Sequence, residues 1–241
     1  MPENEIRLGK LTRREFREAY RTGRFSSAII PTGALEQHLE HLAMEHDTAS
    51  ACHIAEKVAK RLYPQVVVCA PLMVGVSEHH MAHKGTISIK VSSFLSVLFD
   101  TIESLARHGV RNILILNGHA GNTGPIESTL RQWLLGFQHT SREVNLQFCS
   151  YWDLLDEGFT KQHVDTRSVP GHATEFETAF ALAANPENVR LDAVAGQDVE
   201  GPAEATAEKG RALVEESVRR VTEFVSEMID GRIQAEAVKH G

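Results

Sequence analysis

Four short apolar runs constrain this chain more than any other feature: Ala28-Ile29-Ile30, Val66-Val67-Val68-Cys69-Ala70, Ile113-Leu114-Ile115-Leu116 and the stretch Val144–Tyr151. The first three have no polar interruption. Each reads as a strand covered on both faces, the pattern of a parallel sheet.

Between these runs lie stretches with helical rhythm. Ala51, Ile54, Ala55, Val58, Ala59 and Leu62 recur at i, i+3, i+4 spacing, with Asp47 or Thr48 where the N-cap would stand. Leu95, Leu98, Phe99, Ile102, Leu105 and Ala106 mark a second helix, and Gly109 stands at its C′ position. Further helices are expected after Asn122, over Glu175–Ala184, and from about Ala205 to Met228. The last carries Leu213, Val214, Val218, Val221, Phe224, Val225 and Met228, a stripe suited to its own sheet or to a neighbouring copy. Strand–helix alternation of this kind predicts an α/β fold, a single-domain three-layer sandwich whose mostly parallel sheet is covered by helices on both faces. Residues 1–241 read as one domain, with Asp192–Ala203 as a surface loop.

Composition narrows the function. With 241 residues, 42% hydrophobic and 24% charged, the chain is long and apolar enough for a self-sufficient core. A net charge of −7 with no basic block argues against nucleic acid as partner. The polar opening Met1–Lys10 and the lack of any run of ~18 apolar residues argue against secretion signals and membrane spans. Cys52, Cys69 and Cys149 form no paired pattern, so a reducing, cytoplasmic setting is expected. The unusual count is 13 histidines.

Open parallel sheets bind ligands at the carboxyl ends of their strands, so polar clusters just after strands carry weight. The first such cluster is Gly33-Ala34-Leu35-Glu36-Gln37-His38, followed by His41, His46 and Asp47. In an extended segment Glu36 and His38 face the same way, and carboxylate plus imidazole suits zinc or manganese. The bland alternative makes Asp47 a helix cap and the histidines a solvated loop. The second cluster, Asn117–Asn122, sets His119 in a glycine-rich strand-to-helix turn, which is either a ligand-binding turn or a turn alone. The third, His172–Thr178, contains Glu175 and Glu177. Two helical residues diverge by ~200°, so only one of these acids can share the target of His172. The fourth, Ser77–Thr86, holds His79, His80 and His83 and reads as a metal site or, preferably, a substrate-gating loop. Trp152 follows the fourth strand as an aromatic wall or a core residue.

Together these segments resemble the creatininase family, the creatinine amidohydrolases. The resemblance rests on Pro31–His38 with Asp47, Gly85-Thr86-Ile87-Ser88, Asn117–Asn122, Ser150-Tyr151-Trp152-Asp153, and His172–Thr178 leading to Asn185-Pro186, all in the family's order. It implies an α/β sandwich that holds two divalent metals, zinc and/or manganese with iron as an option, and that assembles as a homo-oligomer, many members being hexamers. Carried over by residue, it makes Glu36 and His119 ligands of one metal, His38 a ligand of the other, and Asp47 a bridge. Two such metals polarise a carbonyl and lower the pKa of water towards neutrality. His172 would carry the proton to the leaving nitrogen, a task suited to an imidazole near its ordinary ~6.5. Glu78, His80, Ala120, Gly121 and Trp152 would face a small amide substrate, creatinine being the family's namesake.

This sequence also departs from the namesake enzyme. Gly121 stands where that enzyme has a glutamate ligand, Ala120 where it has a tyrosine, and Ser168 where it has a substrate-side tryptophan. Acidic neighbours are replaced by Val169 and Gly171. Glu175, three residues after His172 and on its face of a helical turn, is therefore expected to supply the missing carboxylate. Glu177 is the alternative. The expected activity is hydrolysis of a C–N amide bond in a small molecule. A deformylase or peptidase-like activity, or a catalytically idle metabolite binder, are the competing readings.

Overall fold

The computed structural model describes residues 4–140, 143–166, 168–197, 199 and 201–235. In chain order the elements are α1 (Arg13–Arg21), β1 (Ser27–Thr32), α2 (His46–Arg61), β2 (Val66–Val68), α3 (Val91–Arg107) and β3 (Asn112–Asn117). There follow α4 (Ala120–His139), β4 (Asn145–Ser150), α5 (Glu157–His163), α6 (Glu175–Ala184) and α7 (Ala207–Ile229). The strands form one parallel sheet in the order β2-β1-β3-β4.

Alternate residues of each strand feed two separate cores, as the pleat requires. Ile29, Val68, Leu114 and Cys149 turn to one face, beneath Ile54 and Val58 of α2, Phe176 and Phe180 of α6, and Leu213, Val221 and Val225 of α7. Ile30, Val67, Ile113 and Ile115 turn to the other, beneath Ala19 of α1, Phe94 and Leu98 of α3, and Trp133 and Phe137 of α4. The sandwich therefore has three layers. The apolar stripe of α7 covers its own sheet. Among the described residues no helix is long and apolar enough to cross a membrane.

Register aligns the carboxyl ends of three strands. Thr32 pairs with Asn117, and Asn117 with Ser150. Their side chains form a buried polar rung: Thr32 Oγ1 donates to Asn117 Oδ1 at 3.1 Å, and Asn117 Nδ2 donates to Ser150 Oγ at 3.2 Å. Asn117 Nδ2 also donates to the backbone oxygen of His119 at 2.7 Å, which sets the turn into α4.

Three expectations of local structure are corrected. β2 ends at Val68, short of Ala70, just before Pro71, which has no N–H for a ladder. α1 and α5 are not among the expected helices: each is short and buries a single residue, Ala19 in α1 and Thr160 in α5, so neither carries the run of core positions that marks the others. Their caps are nonetheless in the sequence: Thr12 and Glu15 form a reciprocal capping box, and Asp156 accepts from Phe159 N. Asp47 is not the cap of α2. It lies inside the first turn, the N-cap is Glu45, and no side chain caps the helix. Part of the 192–203 loop lies outside the described residues; its described portion includes short turns at Leu191–Ala193 and Pro202–Glu204.

Candidate metal centre

Glu36, on the loop after β1, meets His38, Asp47 from α2, His119 from the β3–α4 turn and Glu177 from α6 at the carboxyl edge of the sheet. All five are between 1% and 4% exposed, so water cannot satisfy their charges. Asp47 stands in the middle. Its Oδ1 lies 3.1 Å from His38 Nε2, and its Oδ2 lies 2.8 Å from His119 Nδ1. Glu177 Oε2 is 3.8 Å from the same His38 nitrogen, and Glu36 Oε2 is 3.6 Å from His119 Nε2.

The outward nitrogens of both imidazoles are committed. His38 Nδ1 lies 3.0 Å from the Glu36 backbone oxygen, and His119 Nε2 lies 3.0 Å from that of Val76. A carbonyl only accepts, so these nitrogens carry the protons, and His38 Nε2 and His119 Nδ1 present lone pairs to Asp47. Metal-ligating histidines are oriented by this kind of tie.

Several inward atoms have no hydrogen-bond partner despite being buried: Glu36 Oε2, His38 Nε2 and Asp47 Oδ2. The close approaches to Asp47 lack hydrogen-bond geometry, as expected of lone pairs that face a common point. Glu36, His38 and Asp47 offer ligand atoms within 4.8 Å of one another, as do His38, His172 and Glu177. With the imidazoles neutral, three buried carboxylates would make a strongly anionic cavity, which calls for positive charge, either a metal ion or protons taken up by His38 and Glu177.

Proton affinities carry the same message. Burial opposes charge on His38, yet Asp47 and then Glu177 hold its pKa up at about 10. Burial also opposes charge on Asp47, but His38 and His119 keep its carboxyl well below the usual range. Burial pushes Glu177 up to about 8 despite the attraction of His38. Burial lowers His119 too, and Asp47 more than restores it. A site that draws protons onto its imidazoles is a site short of positive charge, and the donor set of carboxylates and imidazoles fits zinc or manganese.

Glu175 is placed elsewhere, which corrects its expected role. Its Oε2 accepts from the backbone N–H groups of Asp165 and Thr166 at 2.8 and 2.9 Å, and Lys209 Nζ lies 2.5 Å from its Oε1. The helix begins at Glu175 itself, and His172 belongs to the loop before it. Three-residue spacing across that boundary does not put the two on one face. Glu177 takes the place expected of Glu175, with its Oε2 accepting from Ala173 N at 2.6 Å.

His172 lies at the rim, its Nδ1 3.4 Å from Glu36 Oε1 and its ring 4.5 Å from that of His38. Burial, with the nearby His38 and His80, lowers its pKa to about 3. It is held neutral, and the expected value near ~6.5 is corrected accordingly. His80 Nε2 lies 3.6 Å from Glu36 Oε1. Glu78 opens the same short turn and is exposed. Trp152 meets Tyr151 edge-on at 4.9 Å and packs against the α2–α6–α7 core layer, so its contacts are those of a packing residue.

Ala120 is exposed at the start of α4, and Gly121 follows it with no room for a side chain. A Cβ there would run into the Val76 oxygen and His119 Nε2. The glycine is therefore required by the tie that orients His119. Sequence reading missed Ser77, whose Oγ lies 3.2 Å from His119 Nε2, and Asn122, which accepts from Val76 N and donates to Gly33 O. His79, which the sequence reading placed in the Ser77–Thr86 cluster, has its Nε2 3.7 Å from Glu36 Oε2. Asn122 had a signal in the Asn117–Asn122 turn; Ser77 had none. His41 and His46 are buried and held neutral chiefly by desolvation; the His46 ring lies 5.1 Å from that of His38, and His41 Nε2 lies 2.9 Å from Thr178 Oγ1.

A buried carboxylate–imidazole centre at the carboxyl edge of a parallel sheet defines a class, the α/β proteins built to hold divalent metal. The sequence profile of the creatininase family, described as creatinine amidohydrolase, matches residues 9–225, and the chain belongs to that family. A creatinine amidohydrolase from Pseudomonas putida is 28% identical over 197 residues, 78% of this chain and 75% of that protein. A 3-dehydro-scyllo-inosose hydrolase from Thermotoga maritima is 31% identical over 161 residues, 66% of this chain but only 50% of its own length. A mycofactocin precursor peptide peptidase from Mycobacterium tuberculosis is 28% identical over 237 residues, 83% of this chain and 86% of that protein. Among solved structures, a creatininase superposes with a TM-score of 0.83 at 25% identity, over 94% of this chain and 98% of its own. A manganese form superposes at 0.81 and 26% identity, over 93% and 99%.

Proposed function

We propose that this chain is a dinuclear metal-dependent amidohydrolase, one domain that opens a C–N bond in a small molecule. The observation that carries the reading is Asp47, which offers one carboxylate oxygen to each of two imidazoles whose other nitrogens are tied to backbone carbonyls. In this reading His38, Asp47 and Glu177 hold one ion, and Glu36, Asp47 and His119 hold the other. Zinc or manganese is favoured, with iron as an option. When bound, such a pair polarises an amide carbonyl and makes water nucleophilic near neutral pH.

The chain's own residues do the rest. Hydrolysis puts the hydroxyl of water on the carbonyl carbon and a proton on the departing nitrogen as the C–N bond breaks. His172, at the rim and held neutral, would donate a hydrogen bond into the cleft from Nδ1, and the proton that the departing nitrogen takes is one that the attacking water gives up. His80 Nε2, Glu78, Ala120 and the backbone of Gly121 border the substrate, and the rung of Thr32, Asn117 and Ser150 keeps the turn below rigid. Assembly as a homo-oligomer, specifically a hexamer, belongs to the same reading and is tested by light scattering, where a monomer rejects it.

Ser168, Val169 and Gly171 leave creatinine without the aromatic and acidic partners it meets in the namesake enzyme. Each unpaired polar contact costs ~1–3 kcal/mol, so creatinine turnover is expected at least about tenfold lower per lost contact. The competing deformylase or peptidase reading draws support from the long alignment with the peptide peptidase. The test combines metal analysis of purified protein with amine release from creatinine, an N-formyl amine and a short peptide. About two zinc or manganese ions per chain and chelator-sensitive amine release support the hydrolase. Protein that stays metal-free after supplemented growth supports an idle binder, and creatinine turnover at the namesake's level restores that substrate.

A further inference from the structure

Gln37 lies between Glu36 and His38 in sequence and is a ligand in neither set, yet its amide is fully engaged. Its Oε1 accepts from Leu39 N at 2.9 Å, which fixes the direction of the amide, since a backbone N–H only donates. The atom 2.9 Å from His80 Nδ1 and 2.9 Å from His172 Nε2 is therefore the amide nitrogen, Nε2. That nitrogen has two protons and no lone pair to offer. Each ring must meet it with a bare nitrogen and, when neutral, carry its own proton on the far side. The protonated atoms are then His80 Nε2 and His172 Nδ1. These two face the same oxygen, Glu36 Oε1, at 3.6 and 3.4 Å, with ring centroids 4.3 Å apart.

We propose that Gln37 is a positioning residue that locks His80 and His172 as a pair of N–H donors on the cleft side of Glu36, and so withdraws both from metal ligation. The proposal rests on the reading of Glu36 as a ligand. Glu36, His80 and His172 offer ligand atoms within 4.8 Å of one another and have the composition of a cation site. A ring nitrogen that bears a proton has no lone pair for an ion, so the amide of Gln37 turns this triad to another use. The two N–H groups lie beside Glu36 Oε1 without making hydrogen bonds to it, while Oε2, which has no hydrogen-bond partner, stays available to an ion. They also offer a preorganised pair of neutral imidazole donors to an oxygen of the substrate.

The test is nitrogen NMR of histidine-labelled protein, metal-stripped and zinc-loaded, at mildly alkaline pH, with signals assigned by His80→Asn and His172→Asn. The wild type is expected to show pyrrole-type nitrogens at His80 Nε2 and His172 Nδ1 and pyridine-type nitrogens at the other two positions. Gln37→Met is expected to erase that fixed pattern in both rings and leave zinc content unchanged. Gln37→Glu, which accepts where the amide donates, is expected to move the protons to His80 Nδ1 and His172 Nε2. The opposite tautomers in the wild type overturn the proposal, and so does an unaltered pattern in Gln37→Met. The wild-type spectrum decides the matter even if a variant fails to fold. Absence of zinc from loaded wild type defeats the metal reading instead, and the stripped-protein spectra keep the two failures apart.

Discussion

The first turn of α6 has two sides, and two buried glutamates on it meet opposite surroundings. Glu175 turns to α7 and the 164–166 strap, where two backbone N–H groups and the ammonium of Lys209 meet its charge. Glu177 turns to the centre, where one backbone N–H and a distant imidazole are its partners and its pKa climbs to about 8, chiefly through burial. A buried carboxylate with its cation already supplied by the chain is a structural strut. One without is an invitation to an external cation. Asp47 and Glu36, each with an unpartnered inward oxygen, belong to the second kind.

The contrast can be broken experimentally. Asp47→Ala removes the shared carboxylate and is expected to lose both ions and all hydrolysis; full metal content in that variant defeats the bridging assignment. Glu177→Gln comes next, with the loss of about one ion per chain by elemental analysis. Retention of both ions there, or loss of one in Glu175→Gln, would reverse the two sides of α6. Gly121→Ala forces a methyl against the Val76–His119 tie, and metal affinity is expected to fall about 10–100-fold, as when a ligand's orienting partner is removed. A chelator competition with unchanged affinity would show that the tie is dispensable.

Smaller effects sharpen the strut side. Glu175→Gln keeps both ions and loses about 1.5–3 kcal/mol of stability, read as a lower urea midpoint, because a charged hydrogen bond goes. Glu216 is a third case, partnered but at the surface. Hydrogen bonds from Arg219 lead in holding its pKa down at about 2, with Arg220 adding to them. Its folded pKa is depressed, so its contribution is complete above the usual carboxylate range and fades as pH falls through about 2. Exposure keeps the gain under about 1 kcal/mol, and the wild type should lose that margin over Glu216→Gln in acid. A margin that grows in acid would contradict the sign.

The sandwich was readable because its strands carry nearly unbroken apolar runs and α7 a full stripe. α1 and α5 were not, since each is short and buries a single residue, and only their caps announce them. At the centre, Glu36, His38, Asp47 and His119 were found through their placement after strands and through the family resemblance. The choice of Glu175 over Glu177 failed for a specific physical reason. Helical spacing was counted from His172, which precedes the helix, and Lys209, 34 residues further along the chain, claims Glu175. Ser77 and the amide of Gln37 act through contacts 42 and 135 residues away in sequence, which no local pattern records.

The crowding at Gly121 bears on descent as well as on binding. The resemblance sets a glutamate ligand opposite this glycine, whereas here the Val76 oxygen already fills the space a first side-chain carbon would need. A lineage moving from one arrangement to the other cannot do so by one codon: the Val76 loop must retreat before any side chain enters, and His119 loses its tether as it does.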